Sequence, residues 1–171
     1  MRGLNITYDD AVQEKRPGIL VVHEWWGHND HARSRARMLA EAGYTALAVD
    51  MYGNGKTADH PKKAGELMNA AFKNWATSQA RFNKAKEVLQ SHKTVDSTRI
   101  GAIGFCFGGA VSLRMAREGA DLDGVVAFHS SLPFLVFLLS WANIKISVQA
   151  FVFFSFCGAL IFFKLKNSSF W

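Results

Sequence analysis

The sequence predicts an α/β fold in which a doubly wound, mostly parallel sheet carries helices on both faces. Short apolar runs alternate with helical segments along residues 18–129, and each run is hydrophobic through its length rather than at alternate positions. Continuous hydrophobic runs are typical of parallel strands buried on both faces. The chain of 171 residues is long enough to form one domain with a full core.

The first two predicted strands are Gly18–Trp25 (GILVVHEW) and Thr45–Tyr52 (TALAVDMY). Both are short apolar runs that include β-branched residues, as expected for buried strands. A glycine-rich loop, Gly53–Lys56, follows the second strand. Glycines bounding an apolar run favour a strand that ends in a loop.

A helix is predicted between these two strands. It begins at Asp30 or His31 and ends before Gly43, which is a typical residue at a helix C-terminus. We expect Met38 and Leu39 to face inward, because they are the large apolar residues of this segment.

The second half of the pattern repeats the first. A long helical region is predicted from about Pro61 to Gln90, and a third strand, Arg99–Phe105 (RIGAIGF), follows it. A helix is then predicted from Gly108 to about Glu118, and a fourth strand over Gly124–His129. This alternation indicates parallel strands joined by helical crossovers.

The formal net charge of +6 does not indicate nucleic-acid binding, because the positive charges are dispersed. Residues 1–133 hold 17 Lys and Arg residues together with all 14 acidic residues. The densest basic run, Arg33, Arg35 and Arg37, is predicted to be a solvated helix face. We therefore expect no nucleic-acid partner.

The cysteine content favours a reducing compartment. The two cysteines, Cys106 and Cys157, are widely separated and do not form a disulfide framework. No apolar signal peptide is visible at the start of the sequence. We expect a cytoplasmic location, where a free thiol remains available as a nucleophile.

The composition changes abruptly after Pro133, which predicts a partial domain over residues 1–133 and a hydrophobic, Phe-rich tail over 134–171. The tail holds 9 of the 14 phenylalanines and no acid, and its structure does not follow from the sequence. Within it, residues 146–163 form 18 consecutive uncharged positions followed by lysines. That length predicts either membrane contact through residues 146–163 or a buried core segment.

The segment Gly104-Phe105-Cys106-Phe107-Gly108 has the form G-x-C-x-G, directly after a predicted strand and before a predicted helix. A nucleophile at a sharp strand-to-helix turn has a strained backbone, so the residues two positions away must be small. The following helix directs its N-terminus at the sulfur, which favours the thiolate and stabilises an oxyanion. The alternative is a buried structural cysteine in a glycine-rich turn.

A second motif, residues 23–27 (HEWWG), lies at the C-terminal end of the first predicted strand, where open parallel sheets bind ligands. The backbone N–H groups of Trp25 and Phe107 are the predicted oxyanion hole. We expect Glu24 to hydrogen-bond to, or exchange a proton with, the Cys106 sulfur. A solvated loop carboxylate is the alternative.

Four segments, HEWWGHND, AVDMYGNGKTADHP, IGFCFGGAVSLRMA and GVVAFHSSLP, resemble the dienelactone hydrolase family in order and spacing. The resemblance covers about residues 5–133, which implies a member that is C-terminally truncated or divergent after about residue 133. It implies an incomplete α/β-hydrolase fold and a hydrolase that opens small-molecule lactone or carboxylic ester bonds by covalent catalysis at a cysteine.

The same resemblance assigns roles to four residues. It implies Cys106 as the nucleophile, and Glu24 as the carboxylate that holds the resting cysteine and its base in an unreactive pairing. It also implies that the amides of Trp25 and Phe107 form the oxyanion hole.

A cysteine hydrolase of this type needs a histidine that carries the proton and an acid that orients it. The resemblance implies that both follow the fourth strand, yet no acid follows Asp123 and no histidine follows His129. We therefore expect impaired turnover, and a packing or rim role for His129. The edge of the fourth strand is also expected to be uncovered unless the tail covers part of it.

Two other classes of function remain open at this point. One is a non-catalytic membrane-tethered or interaction protein, and the other is a redox sensor that uses Cys106, with distant Cys157 as its one available partner. Zinc binding is not expected, because an H-E-x-x-H motif starting at His23 would require histidine at Gly27. No cofactor is predicted. The identity of the substrate and the oligomeric state do not follow from the sequence.

Overall fold

A computed structural model describes residues 5–129, 153–154 and 159–163. Its strands are β1 (Asn5–Thr7), β2 (Arg16–Val22), β3 (Thr45–Val49), β4 (Val95–Phe105), β5 (Gly124–Phe128), β6 (Phe153–Phe154) and β7 (Ala159–Phe163). Its helices are α1 (Asp30–Glu41), α2 (Pro61–Lys73), α3 (Trp75–Gln90) and α4 (Phe107–Arg117).

The strands form one sheet in the order β1-β3-β2-β4-β5-β7-β6. Its centre, β3-β2-β4-β5, is parallel throughout, and the outer strands β1, β7 and β6 pair antiparallel. The chain passes from β2 to β3 on one side and then returns to place β4 on the other side of β2. The predicted doubly wound, mostly parallel sheet is therefore confirmed, with its topological switch point between β2 and β4.

Both faces of the sheet are covered. On one face, Ala36 of α1 packs against a small cluster that includes Val21, Ala46 and Ala48. On the other face, the larger core joins the sheet to helices α3 and α4, and it includes the fully buried Phe82. Burial of each large side chain in this core contributes roughly 1.5–3 kcal/mol.

The helical region predicted from about Pro61 to Gln90 has these bounds in the structure, where it is divided into two helices separated at Asn74. The backbone of Asn74 leaves the helical region (φ −102°, ψ 54°). The next residue, Trp75, donates its indole N–H to Glu118 at the end of α4 (2.7 Å). The Asn74 side chain also donates to the carbonyl of Ala70 (3.0 Å), and no glycine or proline marks the break in the sequence.

The predicted orientation of α1 is also wrong in one respect. Met38 is exposed (52%), and the residues buried beneath this helix are Ala32, Ala36 and Ala40. Their spacing of four places them on one face of the helix. Small side chains on this face allow α1 to approach the sheet closely.

The predicted strands extend too far at their C-terminal ends. The first was expected to reach Trp25 but ends at Val22, and the second ends at Val49 instead of Tyr52. The helix after Cys106 begins at Phe107, one residue earlier than predicted. Consequently residues 23–27 lie in a loop above the sheet, and Cys106 lies in the turn between β4 and α4.

The strand predicted to present an uncovered edge, β5, is paired in the structure. Strand β7 runs antiparallel to β5, from the pair Gly124 and Phe163 to the pair Phe128 and Ala159. Of the segment 146–163, only strands β6 and β7 belong to the described residues. The rest of the predicted tail, including Cys157, and the predicted boundary at Pro133 lie outside them. None of the helices described is long and apolar enough to cross a bilayer.

Candidate active site

Cys106 occupies the turn between the central strand β4 and helix α4, and its backbone has a positive φ (φ 51°, ψ −112°). A residue other than glycine in this region is strained, at a cost of order 1–3 kcal/mol, and persists only where its surroundings hold it. Here the N–H of Cys106 donates to the carbonyl of Phe128 (2.8 Å), and its carbonyl accepts from the N–H of Ala110 (3.2 Å). These bonds hold the thiol at the top of the sheet.

The two glycines of the motif allow this turn to form. A Cβ on Gly104 would lie 2.1 Å from the carbonyl oxygen of Gly108. A Cβ on Gly108 would lie 2.2 Å from the carbonyl oxygen of Val22 in the neighbouring strand. Both contacts are far inside van der Waals distance and involve backbone atoms, so the G-x-C-x-G spacing is a steric requirement of the turn.

The switch point of the sheet brings the two predicted motifs together. Val22, the last residue of β2, pairs in register with Gly104 of β4. The loop that begins at His23 and the turn at Cys106 therefore leave the same edge of the sheet side by side. This is the crevice in which open α/β sheets bind ligands.

The two predicted oxyanion donors, Trp25 and Phe107, belong to the two segments that leave this edge of the sheet. Phe107 is the first residue of α4, and such a position has no acceptor within its own helix. Among the residues described, neither its N–H nor that of Trp25 donates a hydrogen bond to a protein acceptor. The ring of Phe107 is buried (2% exposed), which anchors the helix terminus.

Glu24 is half-buried, and Cys106 is a free, half-buried cysteine. In the described part of the chain, no hydrogen bond joins the Glu24 carboxylate to the Cys106 sulfur. The backbone of Glu24 is well held, because its carbonyl accepts from the N–H of Gly27 (3.2 Å) and from the ring of His23. The role of the Glu24 side chain therefore stays a prediction.

His23 is a component of the site to which the sequence assigned no role. Its side chain is fully buried (1% exposed), and the N–H of Met51 donates to its Nε2 atom (3.2 Å). The ring packs against those of Tyr52 (4.7 Å between centroids) and Phe107 (5.8 Å), which also pack against each other (5.4 Å). Burial lowers the pKa of His23 to about 4. The one sequence signal was a histidine that closes an otherwise apolar strand.

Tyr52 supports the loop from the other side. Its hydroxyl donates to the carbonyl of Trp25 (2.9 Å). Burial raises the pKa of Tyr52, and the nearby charge of a Cys106 thiolate raises it further. The phenol thus stays protonated and donating. Asp50 holds the Tyr52 backbone in turn, since its carboxylate accepts from the N–H groups of Tyr52 (3.1 Å), Gly53 (2.8 Å) and Gly55 (2.7 Å).

The loop after β2 is also tied to the loop after β3. The N–H of Ala58 donates to the carbonyl of Trp26 (2.9 Å), and Gly27 forms an isolated bridge with Thr57. Gly27 has a positive φ of 92°, and a Cβ there would lie 2.3 Å from the carbonyl of Lys56. Residues 24–27 are therefore held at several points before any ligand binds.

His129 follows β5 directly, is exposed, and has a positive φ of 52°. Its neighbour Phe128 accepts the hydrogen bond from the Cys106 backbone, so His129 lies beside the turn. Within residues 5–129, no hydrogen bond joins the Cys106 thiol to a histidine. In the same region, no group of three or more His, Cys, Asp and Glu side chains is arranged to hold a metal ion.

A mostly parallel sheet with a strained residue between its central strand and the next helix is the arrangement of the α/β-hydrolase fold. Comparison with known proteins specifies the family. The sequence profile of the dienelactone hydrolase family matches residues 1–163, and the chain belongs to this family. The match extends beyond residue 133, where the resemblance read from motifs ends.

Individual relatives agree with this assignment. The chain is 34% identical over 137 residues to Protein usf of Aquifex pyrophilus and 31% identical over 137 residues to a candidate carboxymethylenebutenolidase of Aquifex aeolicus. Each alignment covers 77% of this chain and 58% of the relative. A solved dienelactone hydrolase-like promiscuous phosphotriesterase from metagenomic libraries superimposes with a TM-score of 0.71 at 38% identity, covering 75% of this chain and 54% of that protein. The chain thus spans little more than half the length of these relatives.

Proposed function

We propose that this chain carries a cysteine-dependent site that attacks the carbonyl carbon of small lactones or carboxylic esters. The observation that carries the proposal is the positive φ of Cys106 at the switch point of the sheet, between Gly104 and Gly108. Strain of this kind is characteristic of functional turns, because packing alone does not require it. Membership of a lactone-hydrolase family and a relative named as a carboxymethylenebutenolidase support the substrate class.

The proposed reaction begins at the Cys106 thiolate. The sulfur forms a bond to the carbonyl carbon, and the electron pair of the C=O bond moves to the oxygen. The amides of Trp25 and Phe107 stabilise that oxyanion, an interaction worth roughly 3–4 kcal/mol per donor in related chemistry. The intermediate then collapses: the oxyanion re-forms the C=O bond, the leaving oxygen departs with the electron pair of the broken C–O bond and takes a proton from water, and an acyl thioester remains on Cys106.

Glu24 is proposed to act on the resting thiol rather than on the substrate. A half-buried carboxylate on the loop facing Cys106 is a proton acceptor of suitable type. In this proposal it takes the thiol proton when a substrate displaces water from the crevice. Removal of its charge is expected to slow acylation without changing the fold.

Hydrolysis of the thioester is proposed to be slow in this chain. Deacylation needs a base that activates water, and the sequence has no histidine after His129 and no acid after Asp123. His129 is exposed and makes no described hydrogen bond to the thiol, so it is not assigned as the base. Acylation without rapid deacylation leads to one turnover per site.

The test is a rapid-mixing experiment with p-nitrophenyl acetate, because the nitrophenolate leaving group needs no proton. We expect a burst of nitrophenolate stoichiometric with protein, followed by a slow phase, and a mass increase of one acetyl group located on Cys106. Cys106→Ala is expected to abolish the burst, whereas His129→Ala is expected to preserve it. Failure of the wild-type chain to form the adduct would refute the assignment of Cys106. A sustained linear phase at an enzyme-like rate would refute the proposal that hydrolysis of the thioester is slow.

A further inference from the structure

We propose that His23 is a positioning residue that aims the backbone N–H of Trp25 at the oxyanion of the substrate. This inference rests on the proposed function, since it assigns a supporting role within the same site. It concerns a buried side chain that does not touch the substrate itself. Three observations carry it: the hydrogen bonds of its two ring nitrogens, the geometry of the Glu24–Trp25 peptide, and the packing of its ring.

The hydrogen bonds of His23 determine its tautomer. The Met51 backbone N–H can only donate, so the Nε2 atom that faces it is an unprotonated acceptor. The Nδ1 atom faces the carbonyl oxygen of Glu24, which can only accept, so Nδ1 carries the hydrogen. His23 is therefore a neutral imidazole whose two partners are both satisfied. The pKa of His23, lowered to about 4 by burial, agrees with a ring that stays neutral near pH 7.

The Nδ1 hydrogen bond helps to hold a particular peptide plane, together with the N–H of Gly27, which donates to the same Glu24 carbonyl. The carbonyl of Glu24 and the N–H of Trp25 belong to the same peptide group, and in a trans peptide they point in opposite directions. When His23 pulls the Glu24 oxygen toward the core, the Trp25 N–H must point away from the core. In this proposal that direction is the crevice above Cys106, because the loop after β2 and the turn at Cys106 leave the same edge of the sheet. A rotated plane would turn the donor away and remove one half of the oxyanion hole.

The ring of His23 also connects the two halves of the oxyanion hole. It packs against the ring of Phe107, whose amide is the second proposed donor, and against Tyr52, whose hydroxyl holds the Trp25 carbonyl. Full burial prevents the imidazole from moving to another rotamer. One side chain thus fixes the orientation of the first donor and supports the residue that supplies the second.

Two substitutions separate the two hydrogen bonds of His23. In His23→Asn, the side-chain amide nitrogen replaces Nδ1 and retains a donor for the Glu24 carbonyl. In His23→Gln, the amide oxygen replaces Nε2 and retains an acceptor for the Met51 N–H, but the donor to Glu24 is lost. His23→Phe keeps the buried ring and loses both bonds. All three are matched to the wild-type chain in the same buffer, and their unfolding midpoints are recorded.

The readout compares two reactions of the same thiol. Acylation by p-nitrophenyl acetate passes through an oxyanion, whereas alkylation by iodoacetamide forms the C–S bond and expels iodide without one. We expect His23→Gln and His23→Phe to slow acylation about 10²-fold, as loss of one oxyanion donor does. His23→Asn is expected to slow it much less. Alkylation is expected to stay at the wild-type rate in every folded variant.

The inference is overturned if His23→Gln acylates as fast as wild type, or if acylation and alkylation fall in parallel, since parallel loss indicates only a structural role. Nitrogen-15 NMR of the wild-type imidazole provides a test that needs no variant: we expect the Nδ1–H tautomer, and the Nε2–H tautomer would overturn the inference. A wild-type chain that alkylates but does not acylate would refute the proposed function itself, and the role of His23 with it.

Discussion

Replacement of Gly104 by alanine tests whether the turn at Cys106 depends on close approach of α4 to β4. The new Cβ would lie 2.1 Å from the oxygen and 2.2 Å from the carbon of the Gly108 carbonyl, and 2.5 Å from the nitrogen of Gly109. All three atoms belong to the backbone, so relief requires the helix to shift by about 1 Å to reach ordinary contact. Overpacking of this kind costs about 1–3 kcal/mol or more.

The expected change in the free energy of unfolding also includes the effect of replacing glycine by alanine on the backbone. Alanine is favoured over glycine in regular structure by roughly 0.5–1 kcal/mol, so Gly104→Ala should lower the free energy of unfolding by about 1 kcal/mol or more. Gly65→Ala is the matched control, because Gly65 lies inside α2 with no atom within 4 Å of the added Cβ. It should raise the free energy of unfolding by roughly 0.5–1 kcal/mol. Urea denaturation of both variants measures the difference. Equal stability of the two variants would refute the steric account of the motif.

Three further predictions concern the loops and the strand ends. Below pH 6.5 the unfolded chain protonates His23, whereas the folded chain does so only near pH 4. The free energy of unfolding should therefore fall by about 3 kcal/mol as the pH is lowered across this range. His23→Asn should make the free energy of unfolding depend less on pH. Asp50→Ala removes the acceptor of three backbone N–H groups and should cost about 2 kcal/mol in urea denaturation at pH 7, whereas Asp50→Asn should restore part of the loss. Hydrogen bonds from Thr98, and a further one from Arg99, lower the pKa of Asp96 to about 2. The ionised carboxylate therefore stabilises the folded state above pH 3.8, and this stabilisation is lost as the pH falls toward 2. Asp96→Asn should remove that acid-dependent component, as measured by thermal unfolding between pH 2 and pH 4.

The parallel sheet was predictable because its strands are apolar through their length. The runs that became β2, β3, β4 and β5 have no alternation of polar residues, and such runs are stable only between two layers of helices. The ends of these strands were less predictable. Aromatic residues at Trp25 and Tyr52 extended the predicted runs, but both residues lie beyond the strands, where the Tyr52 hydroxyl donates to the Trp25 carbonyl.

Two interior details depended on contacts between distant parts of the chain. Asn74 separates α2 from α3, and Trp75, the first residue of α3, donates to Glu118, a partner 43 positions away. Met38 is exposed because α1 packs through alanines, which a sequence scan for large apolar residues overlooks. Neither outcome follows from the helix propensity of the local sequence, since both depend on the part of the tertiary structure against which the helix packs.

The residues of the candidate site also differ in whether the sequence alone identifies them. Cys106 was recognisable because the strained turn requires a glycine two positions away on either side. A requirement of this kind involves only residues close together in the sequence. His23 was not recognisable as a component. Its two hydrogen-bond partners lie on different elements, and only their arrangement determines its tautomer.

By itself the sequence determined the parallel architecture, the G-x-C-x-G turn and the family to which the chain belongs, because each is encoded in residues close together along the chain. Only the tertiary structure decided that β2 and β4 are neighbours, with Trp25 and Cys106 leaving the same edge of the sheet. It also decided that His23 is buried and neutral beneath them. The physical reason is that strand order and burial depend on the packing of the whole sheet, which no short segment contains.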